Sequence, residues 1–132
     1  MIEEHFSHLL DEQMIATPKR WECSRFCLAR HAPRHVAANL MLAAGEAMVG
    51  FGVTECMAVF DQRMMRIYRL LGAQPRLIGS SGTGKDFVGV GIWKFTPQYR
   101  QTVCQKAGVS AKASAKWFDH AFGSAHRQAE LG

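Results

Sequence analysis

Between Gly52 and Gly72 the chain changes its period once, and that change restricts the fold more than any other feature. Val53 to Phe60 is a short apolar run rich in strand formers. From Asp61 onward Met64, Met65, Ile67, Tyr68 and Leu71 recur at helical spacing, which makes them the packed side of a helix. Asp61 suits the N-cap of that helix, and Gly72 stands where a left-handed C-terminal residue is favoured. A buried strand feeding an amphipathic helix needs further strands beside it and a helix layer on the sheet.

The remaining segments supply both. Glu3 to Ile15 carries Phe6, Leu9, Leu10 and Met14 at helical spacing and reads as a short amphipathic segment that Pro18 ends. An opening strand is expected from Arg20 to Ala29, closed by Ala32-Pro33. Arg34 to Gly50 reads as a helix, whose alanines and Gly45 let it lie close to a sheet. Arg76-Leu77-Ile78 is a third strand and Asp86 to Phe95 a fourth, with Val88, Val90 and Ile92 on one side. Gly89 and Gly91 fall on the other side, leaving room for close packing or a ligand. Thr96-Pro97 opens a helix that runs to about Ala107. Ser110 opens a last amphipathic stretch anchored by Trp117, Phe118 and Phe122. This order predicts an α/β or α+β sandwich, a mixed sheet with helices against it. It forms one domain over residues 1–132, with a leader at 1–19, a core at 20–107 and a C-terminal helix at 108–132.

Composition excludes several classes. With 48% apolar and 20% charged residues in 132, the chain can bury a core and is not a disordered tail. The apolar run from Leu40 to Val49 is interrupted by Gly45 and Glu46 and falls short of a membrane span. The acidic start Met1-Ile2-Glu3-Glu4 lacks the order of a secretory signal, so a cytoplasmic location is expected. Cys23, Cys27, Cys56 and Cys104 lack the dense spacing of a disulfide framework and read as reduced, buried thiols. Cys23 and Cys27 with His31 and His35 have spacings seen in zinc sites. On a strand, however, the two thiols would stand about 13 Å apart, so no metal site is expected.

The formal charge of +5 and a pI near 9.3 call for an acidic partner. The Lys and Arg residues are scattered without aromatic interleaving, which disfavours nucleic acid. Arg63, Arg66 and Arg69 recur every three residues on the predicted helix as either a solvated face or a docking stripe. Gly79 to Lys85 matches the front of a phosphate-binding loop, but Asp86 replaces the magnesium-binding hydroxyl and a strand follows where a helix is required. It is read as a hairpin connection.

Trp21 to Phe26 places a carboxylate, a hydroxyl and a guanidinium between large apolar residues. Alternation puts Glu22, Ser24 and Phe26 on one face and Cys23, Arg25 and Cys27 on the other. The residues alone allow either a solvated edge strand or one wall of a site.

The segment Trp21-Glu22-Cys23-Ser24-Arg25-Phe26 resembles the W-E-x-S-R-F signature of the acyl-homoserine-lactone synthases, the autoinducer synthases of quorum sensing. The likeness continues through the following helix, Val53 to Phe60, Arg63 to Gly72 and Leu77-Ile78-Gly79. It implies an N-acetyltransferase-like (GNAT) fold whose first two strands here splay to leave a cleft. It also implies transfer of an acyl chain from an acidic acyl carrier protein to the amine of S-adenosylmethionine, then lactonisation with release of methylthioadenosine. S-adenosylmethionine is then a cosubstrate, and no tightly bound cofactor is expected. By the same resemblance Glu22 helps position or deprotonate the amine, Arg25 positions, and Ser24 and Phe26 line or support the acyl cleft. Arg63, Arg66 and Arg69, with Arg76 or Lys85, would meet the carrier protein.

Family members carry a longer N-terminal part holding further residues for S-adenosylmethionine, whereas only Glu3 to Lys19 precede the signature here. A core shortened at its N-terminus is therefore expected, with a sheet edge open to self-association. The alternative to a synthase is a catalytically inactive remnant that binds an acyl carrier protein or a sister subunit.

Overall fold

The computed structural model describes residues 19–23 and 28–131. The amphipathic segment expected from Glu3 to Ile15 lies outside them. The described elements are β1 (Arg20–Cys23), α1 (Arg34–Gly50), β2 (Glu55–Asp61), α2 (Gln62–Leu71), β3 (Arg76–Ser81), β4 (Val88–Trp93), α3 (Pro97–Ala107), α4 (Ala111–Ala115) and α5 (Trp117–Phe122). Single 3-10 turns occupy Gly84–Asp86 and Ser124–His126. The strands form one mixed sheet in the order β1-β2-β4-β3, with β1 parallel to β2 and the other pairs antiparallel. The sandwich expected from the sequence is the one observed.

Side-chain chemistry sets the helix ends. Asp61 accepts a hydrogen bond from the Met64 amide at 2.9 Å, and Gly72 closes α2 in the left-handed region at φ 70°. Thr96 accepts from the Tyr99 amide at 3.1 Å with Pro97 in the first turn, and Ser110 accepts from the Ala113 amide at 3.0 Å. Each bond satisfies an amide that helix geometry leaves without an intrahelical partner.

Beyond shifts of one or two residues at the ends of β2 and β4, three elements differ from expectation. The opening strand is described only over Arg20–Cys23, and residues 28–30 are no longer strand. β3 continues to Ser81, with a register shift between Leu77 and Gly79, because Gly79, Ser80 and Ser81 pair with Val90, Gly89 and Val88. The glycine-rich turn is thus half strand, and the remainder is the tip of a hairpin. The single closing helix is instead α4 and α5, which meet at Lys116. The break lets Ser114 reach inward to Glu46 while Phe118 lies on Gly50, whose added Cβ would stand 2.0 Å from the ring.

The sheet has two unlike faces. Toward α1, α2 and α3 it presents Ala58, Phe60 and Trp93, which pack with Met65 and Tyr68. Phe60, Tyr68 and Trp93 meet edge to face at centroid distances of 5.4, 5.8 and 4.8 Å, a favoured arrangement for the ring quadrupoles. Gly89 and Gly91 make this possible: a Cβ on either would stand 2.9 or 3.0 Å from the Phe60 ring. Close packing, then, explains these glycines. The Trp93 indole N–H donates to the Ala73 carbonyl at 2.7 Å and ties β4 to the end of α2. The opposite face is aliphatic: Met57, Ile78, Val90 and Ile92 are buried, with Val59 and Val88 against them.

Among the described residues, a buried ion pair joins the helices of this layer. Glu46, 1% exposed, accepts from Arg100 Nε at 2.7 Å and Nη2 at 2.8 Å, and from the Ser114 hydroxyl at 2.6 Å. Removing one partner of a buried, bidentate pair leaves the other charge uncompensated, so Glu46→Ala is expected to cost about 3–5 kcal/mol. The half-buried Arg20–Glu55 pair at 3.1 Å is the contrast. Glu55→Ala should cost less than about 1 kcal/mol. Urea unfolding followed by circular dichroism compares the two, and equal losses would contradict this ranking.

Candidate functional site

The parallel register assigns the signature strand its two faces. Arg20, Trp21, Glu22 and Cys23 stand opposite Glu55, Cys56, Met57 and Ala58. Glu22 therefore shares the aliphatic face with Met57, whereas Trp21 and Cys23 share the helix-covered face with Cys56 and Ala58. Trp21, 38% exposed, approaches the Phe51 ring at 6.1 Å, and Cys23 packs at the margin of the Phe60–Tyr68–Trp93 cluster. Glu22 is exposed. The alternation inferred for Glu22 and Cys23 is the one observed. Ser24, Arg25, Phe26 and Cys27 lie outside the described residues.

The arginine stripe is solvent-facing. Arg63, Arg66 and Arg69 line the outer side of α2, while Met65, Tyr68 and Leu71 turn inward. Leu70, 70% exposed, sits beside them, and the 3-10 turn carrying exposed Lys85 packs near α2. Arg76 is exposed at the start of β3. These cations lie on a helix, a strand start and a hairpin tip, whereas Glu22 lies on β1.

Two features lie outside the predicted site residues, the first with a weak signal in the sequence. Glu46 interrupts an apolar helical run, and an acid in such a run signals a buried partner elsewhere, here Arg100. Cys23 and Cys56 lie diagonal to one another on one face of β1 and β2, where a hydrogen bond between the two thiols governs their ionisation. That bond, stronger than the opposing effect of burial, holds the Cys23 thiol down at about 6, while Cys56 is pushed upward by the same bond, by burial and by the neighbouring charge. Burial, and then the charge of these thiols, raises the Tyr68 phenol to about 12. Cys104 is also pushed up, first by burial.

A family model described as autoinducer synthase matches residues 1–91. The chain belongs to the autoinducer synthase family. An acyl-homoserine-lactone synthase of Rhizobium etli is 29% identical over 109 residues, covering 78% of this chain and 51% of that protein. Among solved structures, the CoA-dependent acyl-homoserine lactone synthase BjaI, bound to MTA, superposes with a TM-score of 0.71 at 18% identity, over 83% of this chain and 53% of that one. The CoA-dependent synthase MesI gives 0.69 at 18% identity over 83% and 57%, and apo TofI gives 0.62 at 19% over 86% and 61%. The sheet and its helices thus have the fold of acyl-homoserine-lactone synthases, and the chain spans about half the length of these relatives.

The thiol pair predicts a pH profile. A depressed folded pKa means that thiolate appears as pH rises through about 6, so iodoacetamide labelling of Cys23 should half-rise there. Cys104 should label only at higher pH, and Cys56→Ala should return Cys23 toward the ordinary thiol range. Peptide-resolved mass spectrometry of labelling rates checks this; a Cys23 profile unchanged by Cys56→Ala would contradict it.

Proposed function

We propose that this chain carries the acyl-transfer site of an acyl-homoserine-lactone synthase. The observation that supports it is Glu22, exposed on the aliphatic face of a strand that lies within the residues the family model matches. A carboxylate beside apolar surface offers a base for an amine and a bed for a hydrocarbon chain. In this reading the α-amine of S-adenosylmethionine loses a proton to Glu22, directly or through water, and attacks the carbonyl carbon of an acyl thioester. The new C–N bond forms as the C–S bond breaks and the thiol leaves. The methionyl carboxylate then closes the lactone ring, displacing methylthioadenosine from the sulfonium carbon. Arg25 positions the reactants, and Ser24 and Phe26 support the acyl cleft.

The acyl donor in this reading is an acidic carrier protein, with Arg63, Arg66 and Arg69 as its contact. Their placement along the outer side of α2, beside Leu70 and near Lys85, provides charge and an apolar anchor on one helix. BjaI and MesI are described as CoA-dependent, so the coenzyme A thioester is the comparison substrate.

Incubation with S-adenosylmethionine and either acyl carrier thioester or acyl-coenzyme A, with chromatography of methylthioadenosine, tests the reaction. Glu22→Gln is expected to lower release by about 10²-fold or more, the usual contribution of a positioned base. No release with carrier binding retained would assign the chain a binding role in place of the enzyme.

The docking stripe has a separate test. Arg66→Glu with Arg69→Glu should weaken carrier-protein binding about tenfold or more at low salt, with the difference shrinking as salt is added. Turnover of acyl-coenzyme A should stay unchanged. Undiminished carrier binding in a titration of the double variant would remove α2 from the docking surface.

A further inference from the structure

The transfer chemistry makes no use of Cys23 or Cys56, yet the fold puts these two thiols together. They sit on adjacent parallel strands and on one face, with Cys23 opposite Ala58 and Cys56 opposite Trp21. Both are half-buried and neither is in a disulfide. The Cys56 thiol also lies 3.8 Å from the Met57 carbonyl oxygen, a weak acceptor contact. Ionisation of Cys23 offers the Cys56 S–H a stronger acceptor, which explains why Cys23 ionises first and Cys56 keeps its proton. A thiolate with a second thiol diagonal to it on the same face of the adjacent strand has the makings of an attacking and a resolving cysteine.

We propose that Cys23 and Cys56 form a reversible disulfide between β1 and β2 when a hydroperoxide reaches Cys23. The Cys23 thiolate attacks one peroxide oxygen; the O–O bond breaks, hydroxide or alkoxide leaves, and Cys23 becomes a sulfenic acid. Cys56 sulfur then attacks Cys23 sulfur, the S–O bond breaks, and water departs with the Cys56 proton. The two thiols are oxidised and the peroxide is reduced.

The register also says what the bond would do. With strands about 4.8 Å apart and about 3.3 Å per residue along each, diagonal neighbours of a parallel pair have Cα atoms roughly 8 Å apart. A relaxed disulfide spans about 4.4–6.8 Å between Cα atoms, so oxidation has to slide β1 along β2 and shorten the two-residue offset. A disulfide formed against that resistance is readily reduced, which suits a switch and not a structural staple. Glu22 precedes Cys23 by one residue, so its backbone moves with the strand. The disulfide depends on the register of β1 and β2 and does not require that Glu22 act as a base.

The test treats the reduced full chain with a small excess of hydrogen peroxide, blocks the remaining thiols, and maps the digest by mass spectrometry. The expected product is a linked peptide pair holding Cys23 and Cys56, lighter by two hydrogens and separated again by dithiothreitol. In Cys56→Ala, treated above the ordinary thiol pKa so that Cys23 is again thiolate, Cys23 should proceed to sulfinic acid with no link to residue 56. Three results in the unmutated chain would overturn the proposal: a Cys23–Cys27 link, sulfinic acid on Cys23 with Cys56 still open to alkylation, or no oxidation of Cys23. The mapping of the unmutated chain decides the matter even where Cys56→Ala fails to fold.

Discussion

A carboxylate at 1% exposure has to be neutralised or paired, and the helix layer is built around doing so for Glu46. Burying one ion costs several kcal/mol even after relaxation, so the pair tolerates little loss of geometry. Arg100 meets that demand with two parallel N–H donors from α3, and Ser114 adds a hydroxyl from α4. Three helices are thereby held at one point. The arginine also lies over the Phe95 ring, 5.4 Å from its centroid, and that ring in turn occupies the space above Gly45. An alanine at Gly45 would put its Cβ 2.1 Å from a ring carbon, so neighbouring residues of α1 set both the ion pair and the close approach.

With that layer anchored on one side, the sheet divides its labour between faces. Aromatic rings interlock toward the helices, where Gly89 and Gly91 make space and Trp93 finds an acceptor. Such packing leaves little freedom for the strand backbones beneath it. The other face carries branched aliphatic side chains together with Met57. Glu22 belongs to this second face, and a charge presented there draws on the rigidity of the first.

Local chemistry makes much of this readable in the sequence. Asp61, Thr96 and Ser110 carry oxygens that accept from amides three residues on, and Gly72 takes the left-handed conformation that its lack of a Cβ permits. Helix starts and stops follow from such short-range bonds. The alternation of Glu22 and Cys23 is likewise a property of strand geometry. The Glu46–Arg100 pair spans 54 positions, and no period within either helix announces it. The break between α4 and α5 escapes the local pattern for the same reason: Ser114 answers to Glu46, 68 positions away, and not to its own helix. The meeting of Cys23 with Cys56 depends on which residues of two parallel strands lie opposite one another, and a hydrophobic pattern alone does not set that register.

Two consecutive residues of β1 therefore work in different media. Glu22 is exposed beside aliphatic side chains, and Cys23 is half-buried against aromatic rings and a second thiol. A strand cannot move one without the other, because a single peptide unit joins them and alternate faces share one backbone. Whatever adjusts the spacing of β1 and β2 on the thiol side is transmitted to the carboxylate side as a change of position, with no intervening helix or loop to absorb it. The short parallel pairing of Arg20–Cys23 with Glu55–Ala58 is thus where the packing of the helix layer and the chemistry of the exposed face are coupled.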